Sequence, residues 1–391
     1  MPIARQMKTL GTVATYINGR AFKPNEWELS GKPIIRIQNL TSSIAPFNYT
    51  SLDIEEKYHV YHGDLLFAWS ASLGAHIWKG PDAWLNQHIF RVIPNDGIMK
   101  EYLYYFLTNV VADLYAKTHG SGMVHITKAP FMNTPIPVPP LDEQERIVAR
   151  IEELFSQLDS GVETLRKTKQ QLAVYRQAVL KEAFEGDYPK KQLKDFSKAI
   201  SGYAFKSSRY SPDGHYIVVK IGNVKERRFD FTRDLTKTTE ADDSILEKYL
   251  LQHGDCLITL TGSRGKRDYG FVAMVGNQKN YLLNQRVAAL RFNQDVALPE
   301  YFQYFLASPI YRDMFFSYET GNVGQGNVGI KALLEPLVSL PDIEMQRRIV
   351  EEVESRLSVC ESIEQTVDTA LQQAEAMRQS ILKQAFEGGV S

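Results

Sequence analysis

The chain has 391 residues, of which 43% are apolar and 23% are charged, the balance of an ordinary folded protein with two or three domains. Its two cysteines, Cys256 and Cys360, exclude a disulfide framework or a zinc cluster and favour a reducing, cytoplasmic compartment. No apolar run approaches the roughly 20 residues that span a bilayer. The N-terminal residues also lack the apolar segment of a signal peptide.

Charge is unevenly distributed, although the whole chain carries only −1. The segments 1–140, 141–187, 188–340 and 341–391 carry +2, −3, +5 and −5. Two basic segments therefore alternate with two acidic ones, a distribution that permits a polyanionic partner for the basic segments. We take these four segments as the predicted domains.

Residues 1–140 are predicted to form a mixed α/β domain. Strand-like runs occupy 33–37 and 64–69, a helical stretch occupies 101–116, and loops lie at 70–76 and 118–128. The domain ends in the proline-rich run 135–140, which favours an extended exit.

A long helix is predicted for residues 143–185, which contain no proline and are rich in Glu, Gln, Leu, Arg and Ala. Asp142 and Glu145 resemble a capping box at its start, and Gly186 ends it. Apolar residues recur every seven positions, the pattern of a coiled-coil seam: Ile151, Leu158, Leu165, Leu172 and Val179.

The second half of the chain repeats the first. Residues 18–23, 36–39, 62–64 and 85–87 recur as 201–206, 220–223, 253–255 and 283–285, with offsets that drift between 183 and 198. The offset then stays at 202 across a second proline-free helix at 345–387, which Gly388 and Gly389 end. This period indicates a domain duplication.

Between the repeats, the second domain has strand-like runs at 216–221, 255–260 and 270–275, a helical stretch at 300–316, and loops at 261–269 and 320–329. Each long helix carries a seam, so two arrangements are open. The helices form a homodimer zipper, or the two copies pair antiparallel within one chain. We favour the second arrangement, an intramolecular antiparallel coiled coil between two α/β domains.

No catalytic constellation is evident. The run 324–329 fits the GxGxxG fingerprint, but it follows a helical, aromatic stretch rather than a strand, so a flexible glycine-rich loop is the better interpretation. The run 261–266 lacks the spacing of a phosphate-binding loop, and no zinc-protease motif or metal-spaced carboxylate cluster is present.

The remaining candidate residues suit nucleic-acid binding. Arg264, Lys266 and Arg267 lie in a Gly/Ser loop, where backbone can approach phosphates and guanidinium groups can reach guanine edges. The corresponding loop 70–76 has no charge apart from histidine, so the two domains are expected to read different targets. The full set of predicted DNA-binding residues is Arg20, Lys23, Arg36, Ser70, His76, Gln87, His88, Lys128, Lys206, Lys220, Arg264, Lys266, Arg267, Gln285, Arg286, Asn322, Gln325, Asn327 and Lys331.

The duplicated pattern resembles the specificity subunit of Type I restriction-modification systems over essentially the whole chain. The resemblance rests on PPLDEQERIV at 139–148 and PDIEMQRRIV at 341–350, the strands that follow Gly63 and Gly254, and the helix ends at 180–186 and 382–388. The second copy has Met345 where the first has Glu143, so a contact by that glutamate is expected only once.

The resemblance implies a non-catalytic chain in which each recognition domain reads half of a split double-stranded DNA site. It also implies that two DNA-methyltransferase subunits bind, and that restriction or translocase subunits join them in some systems. S-adenosylmethionine, Mg2+ and ATP are then expected on partner subunits and none on this chain. The residues expected to bind partners are Glu143, Gln144, Gln346, Phe184 and Phe386. A coiled-coil adaptor that does not bind DNA is the alternative.

Overall fold

The computed structural model describes residues 6–42, 44–116, 128–239, 242–322 and 324–387. The chain forms two compact units, Met1–Leu165 together with Thr369–Ser391 (unit 1) and Arg166–Asp368 (unit 2). The division cuts both long helices, so each unit holds one α/β domain and a part of each helix. Across the described ranges, no helix is long and apolar enough to cross a membrane.

The α/β domain of unit 1 combines short strands with four α-helices among the residues that the structure describes. In chain order these are β1 (Gln6–Thr9), α1 (Leu10–Val13), β2 (Ala14–Asn18), β3 (Lys32–Ile35), α2 (Ile37–Thr41), β4 (Asn48–Thr50), β5 (His59–Val60), β6 (Leu65–Ala68), β7 (Gly74–Ile77), β8 (Ala83–Leu85), β9 (Ile89–Pro94), α3 (Lys100–Ala116), α4 (Lys128–Met132) and β10 (Pro135–Val138).

Two four-stranded sheets form this domain. The first has the antiparallel order β2-β9-β6-β7, and the second has the order β4-β3-β8-β5, in which β3 and β8 are parallel. Strand β6 is apolar throughout because it is buried on both faces: Leu65 and Phe67 pack against α3, whereas Leu66 packs against the second sheet. Strands β1 and β10 pair beside the first sheet.

Unit 2 begins with the last part of α5 (Leu141–Ala183), the first long helix, and ends with the first part of α9 (Ile343–Glu387), the second. Its other elements are β11 (Lys190–Gln192), β12 (Ser197–Ser201), β13 (Tyr216–Val219), β14 (Val224–Lys225), β15 (Arg228–Phe229), β16 (Lys237–Thr238), α6 (Asp243–Tyr249), β17 (Cys256–Thr259), β18 (Thr261–Gly262), β19 (Val272–Met274), β20 (Tyr281–Leu283), β21 (Val287–Phe292), α7 (Pro299–Ala307), α8 (Pro309–Ser317), β22 (Gly326–Asn327) and β23 (Leu337–Ser339).

The topology of unit 2 repeats that of unit 1, which confirms the duplicated α/β fold. The sheet β12-β21-β17-β19 corresponds to β2-β9-β6-β7, and the parallel pair β13-β20 corresponds to β3-β8. Strand β17 is again buried on both faces, with Cys256 and Ile258 on one side and Leu257 on the other. Unit 2 also contains the two-stranded pairs β14-β15 and β18-β22.

The two long helices pack against each other antiparallel within each unit, as predicted. In unit 2, Lys169 pairs with Asp368 at 2.6 Å, Arg176 with Glu364 at 2.7 Å, and Glu182 with Arg356 at 3.0 Å, so the numbering rises along one helix as it falls along the other. In unit 1, Asp159 pairs with Arg378. The seam residues Ile151, Val179, Val353, Cys360, Val367 and Ala374 are buried.

Two local predictions need correction. The helical stretch 300–316 is broken into α7 and α8, because Pro309 has no backbone N–H and Ser308 caps the new helix by accepting from the Tyr311 N–H.

Asp142 does not cap α5, which starts one residue earlier at Leu141. The cap occurs in the second copy, where Asp342 accepts from the Met345 N–H at 2.8 Å. The predicted loop 118–128, except Lys128, and the helix end at Gly388 lie outside the described residues.

Candidate nucleic-acid interface

Two predicted loops of unit 2 meet at one end of its four-stranded sheet. Strand β18 pairs with β22, which joins loop 261–269 to loop 320–329. The Leu260 N–H donates to the carbonyl of Arg286, and the Val328 N–H donates to the carbonyl of Leu260. The glycine-rich run that mimics a dinucleotide fingerprint therefore forms one side of this two-loop structure, which we call the clasp (residues 261–269, 320–322 and 324–328).

The basic side chains of the clasp are exposed but not equivalent. Arg264 Nη1 donates to the carbonyl of Gly321 at 2.7 Å. Arg267 Nη1 donates to Asp313 Oδ1 at 2.7 Å, and its guanidinium lies 5.2 Å from the centre of the Phe316 ring. Lys266 lies between Gly265 and Arg267, both with left-handed backbone (φ +75° and +52°), at the tip of the loop.

A partly buried hydrogen bond between Tyr269 and Glu319 supports the clasp. The Tyr269 hydroxyl donates to Glu319 Oε1 at 2.7 Å, and burial together with this hydrogen bond raises the pKa of Tyr269 well above its usual value. Gly326 lies over this pair, since a Cβ there would stand 2.4 Å from Glu319 Oε1 and 3.1 Å from the Arg264 Cα. The clasp therefore accepts only glycine at that position without rearrangement.

Sequence reasoning missed the residues that hold the clasp, namely Tyr269, Glu319, Asp313 and Arg312. Arg312 donates to the carbonyls of Gly270, Arg267 and Tyr269 at 2.9, 3.0 and 3.2 Å. These partners lie more than 40 positions away in the sequence, so no local motif marks them.

The other candidates of unit 2 divide by exposure. Lys206, Gln285, Arg286, Asn322, Gln325 and Lys331 are exposed, and Asn327 is half-buried because its backbone forms β22. Lys220 bonds to Asp234 at 3.3 Å and to Thr236 at 2.5 Å. These bonds give Lys220 a structural role, and its DNA contact stays a prediction.

In unit 1, two predicted arginines are held by the chain itself. Arg20 pairs with Glu26 at 2.5 Å, and Arg36 donates to Asn48 at 3.2 Å while lying 5.2 Å from the Trp27 ring. Ser70 is only 2% exposed, and its DNA contact stays a prediction.

The remaining candidates of unit 1 are accessible in part. Gln87 and His88 contact each other at 3.1 Å, and His88 stacks edge-on against Trp69. His76 is half-buried on β7, and burial lowers its pKa. Lys23 and Lys128 are exposed. Among the residues that the structure describes, no group of three or more His, Cys, Asp or Glu is placed to hold a metal ion.

Four of the five predicted partner-binding residues are buried within their own unit. Gln144 and Gln346 are fully buried at equivalent places. Gln144 accepts from the Met99 N–H and donates to the carbonyls of Gly97 and Pro139. Gln346 makes the same three bonds to Leu298, Val296 and Pro341. Both glutamines therefore fasten the start of a long helix to the domain before it.

The two phenylalanines fasten the helix ends. Phe184 packs edge-on against Tyr301 and Phe305, and Phe386 packs edge-on against Tyr102 and Phe106. These rings are buried, which leaves little surface for a partner. Glu143 is half-buried in the first turn of α5, and its contact with a partner stays a prediction.

The family model described as "Type I restriction modification DNA specificity domain" matches residues 2–172 and 185–373. The EcoBI specificity subunit of Escherichia coli is 27% identical over 97% of this chain and 85% of its own length. The EcoKI specificity subunit of Escherichia coli (strain K12) is 30% identical over 69% of this chain and 60% of its own length.

Solved structures agree in fold. A chain from work on complex assembly and conformational transition of the type I R-M system matches 100% of this chain and 99% of its own length, with a TM-score of 0.71 and 20% identity. The HsdS subunit from Thermoanaerobacter tengcongensis matches 100% and 98%, with a TM-score of 0.52 and 20% identity. With two copies of the family model and a duplicated fold, the chain belongs to the family of Type I restriction-modification DNA specificity subunits.

Proposed function

We propose that this specificity subunit, the non-catalytic component of its system, reads a bipartite double-stranded DNA target with one recognition domain on each half. The proposal rests on one observation: the two α/β domains share the same arrangement of strands but differ in the loop that follows the central strand. After β6 the chain turns back within residues 69–73, which include no Lys or Arg. After β17 the corresponding connection, 260–271, contains Arg264, Lys266 and Arg267. Two similar domains with different recognition loops suit two different half-sites.

The charge distribution supports DNA binding by the α/β domains rather than by the long helices. The basic excess lies in the α/β segments 1–140 and 188–340, whereas the helical segments are acidic. Phosphate contacts by Lys and Arg provide sequence-independent affinity, and contacts to base edges provide specificity. We therefore place DNA on the α/β domains rather than on the helices.

The proposed partners are two adenine-methyltransferase subunits, joined in some systems by restriction or translocase subunits. In this proposal S-adenosylmethionine, Mg2+ and ATP act on those subunits, and the present chain binds none of them. Glu143, in the first turn of α5, is a candidate contact for one of these subunits only, because the second copy has Met345 at the equivalent position. The proposed place of action is the cytoplasm, where bacterial chromosomal DNA lies.

Selection from randomised duplexes with the full-length chain tests the DNA-binding part. A motif of two conserved halves with a fixed gap is expected, and the affinity should fall steeply with salt. A chain that binds no duplex at any salt concentration would instead act as a coiled-coil adaptor.

Replacement of residues 1–140 by the equivalent domain of another family member tests modularity. The break falls between β10 and α5, so both elements stay intact. One half-site should change and the other should stay, and a change in both halves would contradict the division into two domains. Capture of a co-expressed methyltransferase by the full-length chain tests the partner.

A further inference from the structure

The three cationic side chains of the clasp differ in their freedom. Arg267 is held by Asp313 and packs against Phe316, and its carbonyl accepts from Arg312. The Asp313 carboxylate offsets the positive charge of Arg267 locally, which weakens the attraction of this side chain to DNA. Arg267 therefore suits a supporting role.

Arg264 is held in one orientation, but only one of its guanidinium nitrogens donates a hydrogen bond within the described residues. Its Nη1 donates to the carbonyl of Gly321, which lies on the opposite loop of the clasp. The structure gives Nε and Nη2 no hydrogen-bond partner among the described residues, and the side chain is exposed. One edge of the planar group is therefore fixed to the protein while donors remain for a ligand.

The backbone beneath Arg264 is also fixed. Gly326 lies against the Arg264 Cα, and Glu319 binds the Tyr269 hydroxyl beneath the loop. A side chain held in its binding conformation loses less entropy on binding than a free one. The commonest specific contact to guanine is an arginine that donates two hydrogen bonds in one plane, to O6 and N7.

Lys266 has a different environment. It is exposed at the loop tip, next to two residues with left-handed backbone, and its ammonium group is a compact charge on a flexible stem. Such a group suits a phosphate oxygen, which requires charge but no fixed orientation.

We propose that Arg264 is the specificity-determining residue of the second recognition domain and reads a guanine in its half-site, whereas Lys266 contacts the phosphate backbone. Arg267 acts as a positioning residue that holds the loop. This assignment rests on the proposed DNA-binding function and goes beyond it by separating base reading from charge within one loop.

The test compares full-length variants on two probes, a pool of randomised duplexes and a single duplex of random sequence. Arg264→Lys keeps the charge but removes the planar fork, so the preference for one guanine should fall on the order of 10- to 100-fold. The salt dependence of binding to the single duplex should not change. Arg264→Gln should shift the preference at that position from guanine towards adenine, which Gln pairs with.

Lys266→Ala should lower the slope of log affinity against log salt by about one and leave the selected motif intact. Lys198→Ala is the matched control, since this exposed lysine lies on β12 at the other edge of the same sheet. It should change neither readout. Thermal unfolding of each variant checks that the fold is retained.

Two results would overturn the assignment. One is an Arg264→Lys chain that selects the wild-type motif at every position, and the other is a Lys266→Ala chain that loses a base preference. If the wild-type chain itself selects no motif, the proposed function fails. The two failures are therefore distinguishable.

Discussion

Gly19 and Gly202 make the same backbone contact in the two domains. A Cβ on Gly19 would lie 2.1 Å from the carbonyl oxygen of Asn86, and a Cβ on Gly202 would lie 1.9 Å from that of Asn284. The residues that follow these glycines, Arg20 and Tyr203, form bridges to the same asparagines. The repeated motifs at 18–23 and 85–87 are therefore two sides of one contact, and this contact explains why they recur together.

Gly202→Ala should lower the free energy of unfolding by about 2 kcal/mol or more, because backbone must move to admit the methyl group. Gly161→Ala is the matched control. Gly161 lies in α5, and a Cβ there meets nothing within 4 Å, so this change should raise the free energy of unfolding by about 0.5–1 kcal/mol. Urea unfolding of both variants measures the difference. Equal stability of the two would contradict the close contact.

The duplicated buried glutamines permit a second test at the residue scale. Gln144→Ala removes three hydrogen bonds and leaves the Met99 N–H and the carbonyls of Gly97 and Pro139 without that partner. An unsatisfied buried group costs about 1–3 kcal/mol, so a loss of at least about 2 kcal/mol in the free energy of unfolding is expected. Gln372→Ala, on an exposed face of α9, should change it by less than about 0.5 kcal/mol. A Gln144→Ala chain as stable as the control would show that water replaces the side chain.

At the scale of elements, the sequence predicts what depends on local pattern. The helices at 143–185 and 345–387 follow from composition and seven-residue spacing, and β6 and β17 follow from apolar runs after Gly63 and Gly254. Local sequence pattern does not predict the clasp, because β18 and β22 contain two residues each and pair across more than 60 positions. The bonds of Lys220 and the burial of Ser70 do not follow from it either, because residue type carries no information about a partner distant in sequence.

Phe386 packs the end of α9 into the core of unit 1, beside Leu382 and Ala385. Phe386 lies 5.2 Å from the ring centres of both Tyr102 and Phe106. Phe386→Ala should lower the free energy of unfolding by about 3 kcal/mol, in the range for a buried phenylalanine. It should also let the last turn of α9 exchange its amide hydrogens faster. Met377→Ala, which truncates a side chain that is 55% exposed on the same helix, should have little effect on either measurement. Unchanged exchange in the Phe386 variant would show that other contacts fasten the helix.

At the scale of the whole molecule, the long helices are the elements that both units share. Their equal offset of 202 over more than 40 residues contrasts with the drifting offsets of the loops. We infer that helix length is under constraint because it sets the gap between the two half-sites. An insertion in α5 alone would break this relation, since it would move Lys169, Arg176 and Glu182 out of step with their partners on α9.

A matched insertion avoids that conflict. One heptad placed after Leu165 in α5 and another after Asp368 in α9, where the two units divide, would keep the pairing within each unit. Seven residues advance an α-helix by about 10 Å and rotate its face by only about 20°, so the seam is preserved. With about 3.4 Å for each base pair, the gap should grow by at most about three base pairs.

The half-sites themselves should not change, because no residue of either α/β domain is altered. Mapping of methylated adenines across the genome, in cells that carry the insertion and the partner methyltransferase, measures the gap and both halves together. As a control, alanine substitutions at exposed positions of α5 and α9, without any insertion, should leave the original gap unchanged. A double-insertion chain that methylates the original spacing at full level would show that the helices do not set it. Altered bases in a half-site would show that the helices act on recognition itself.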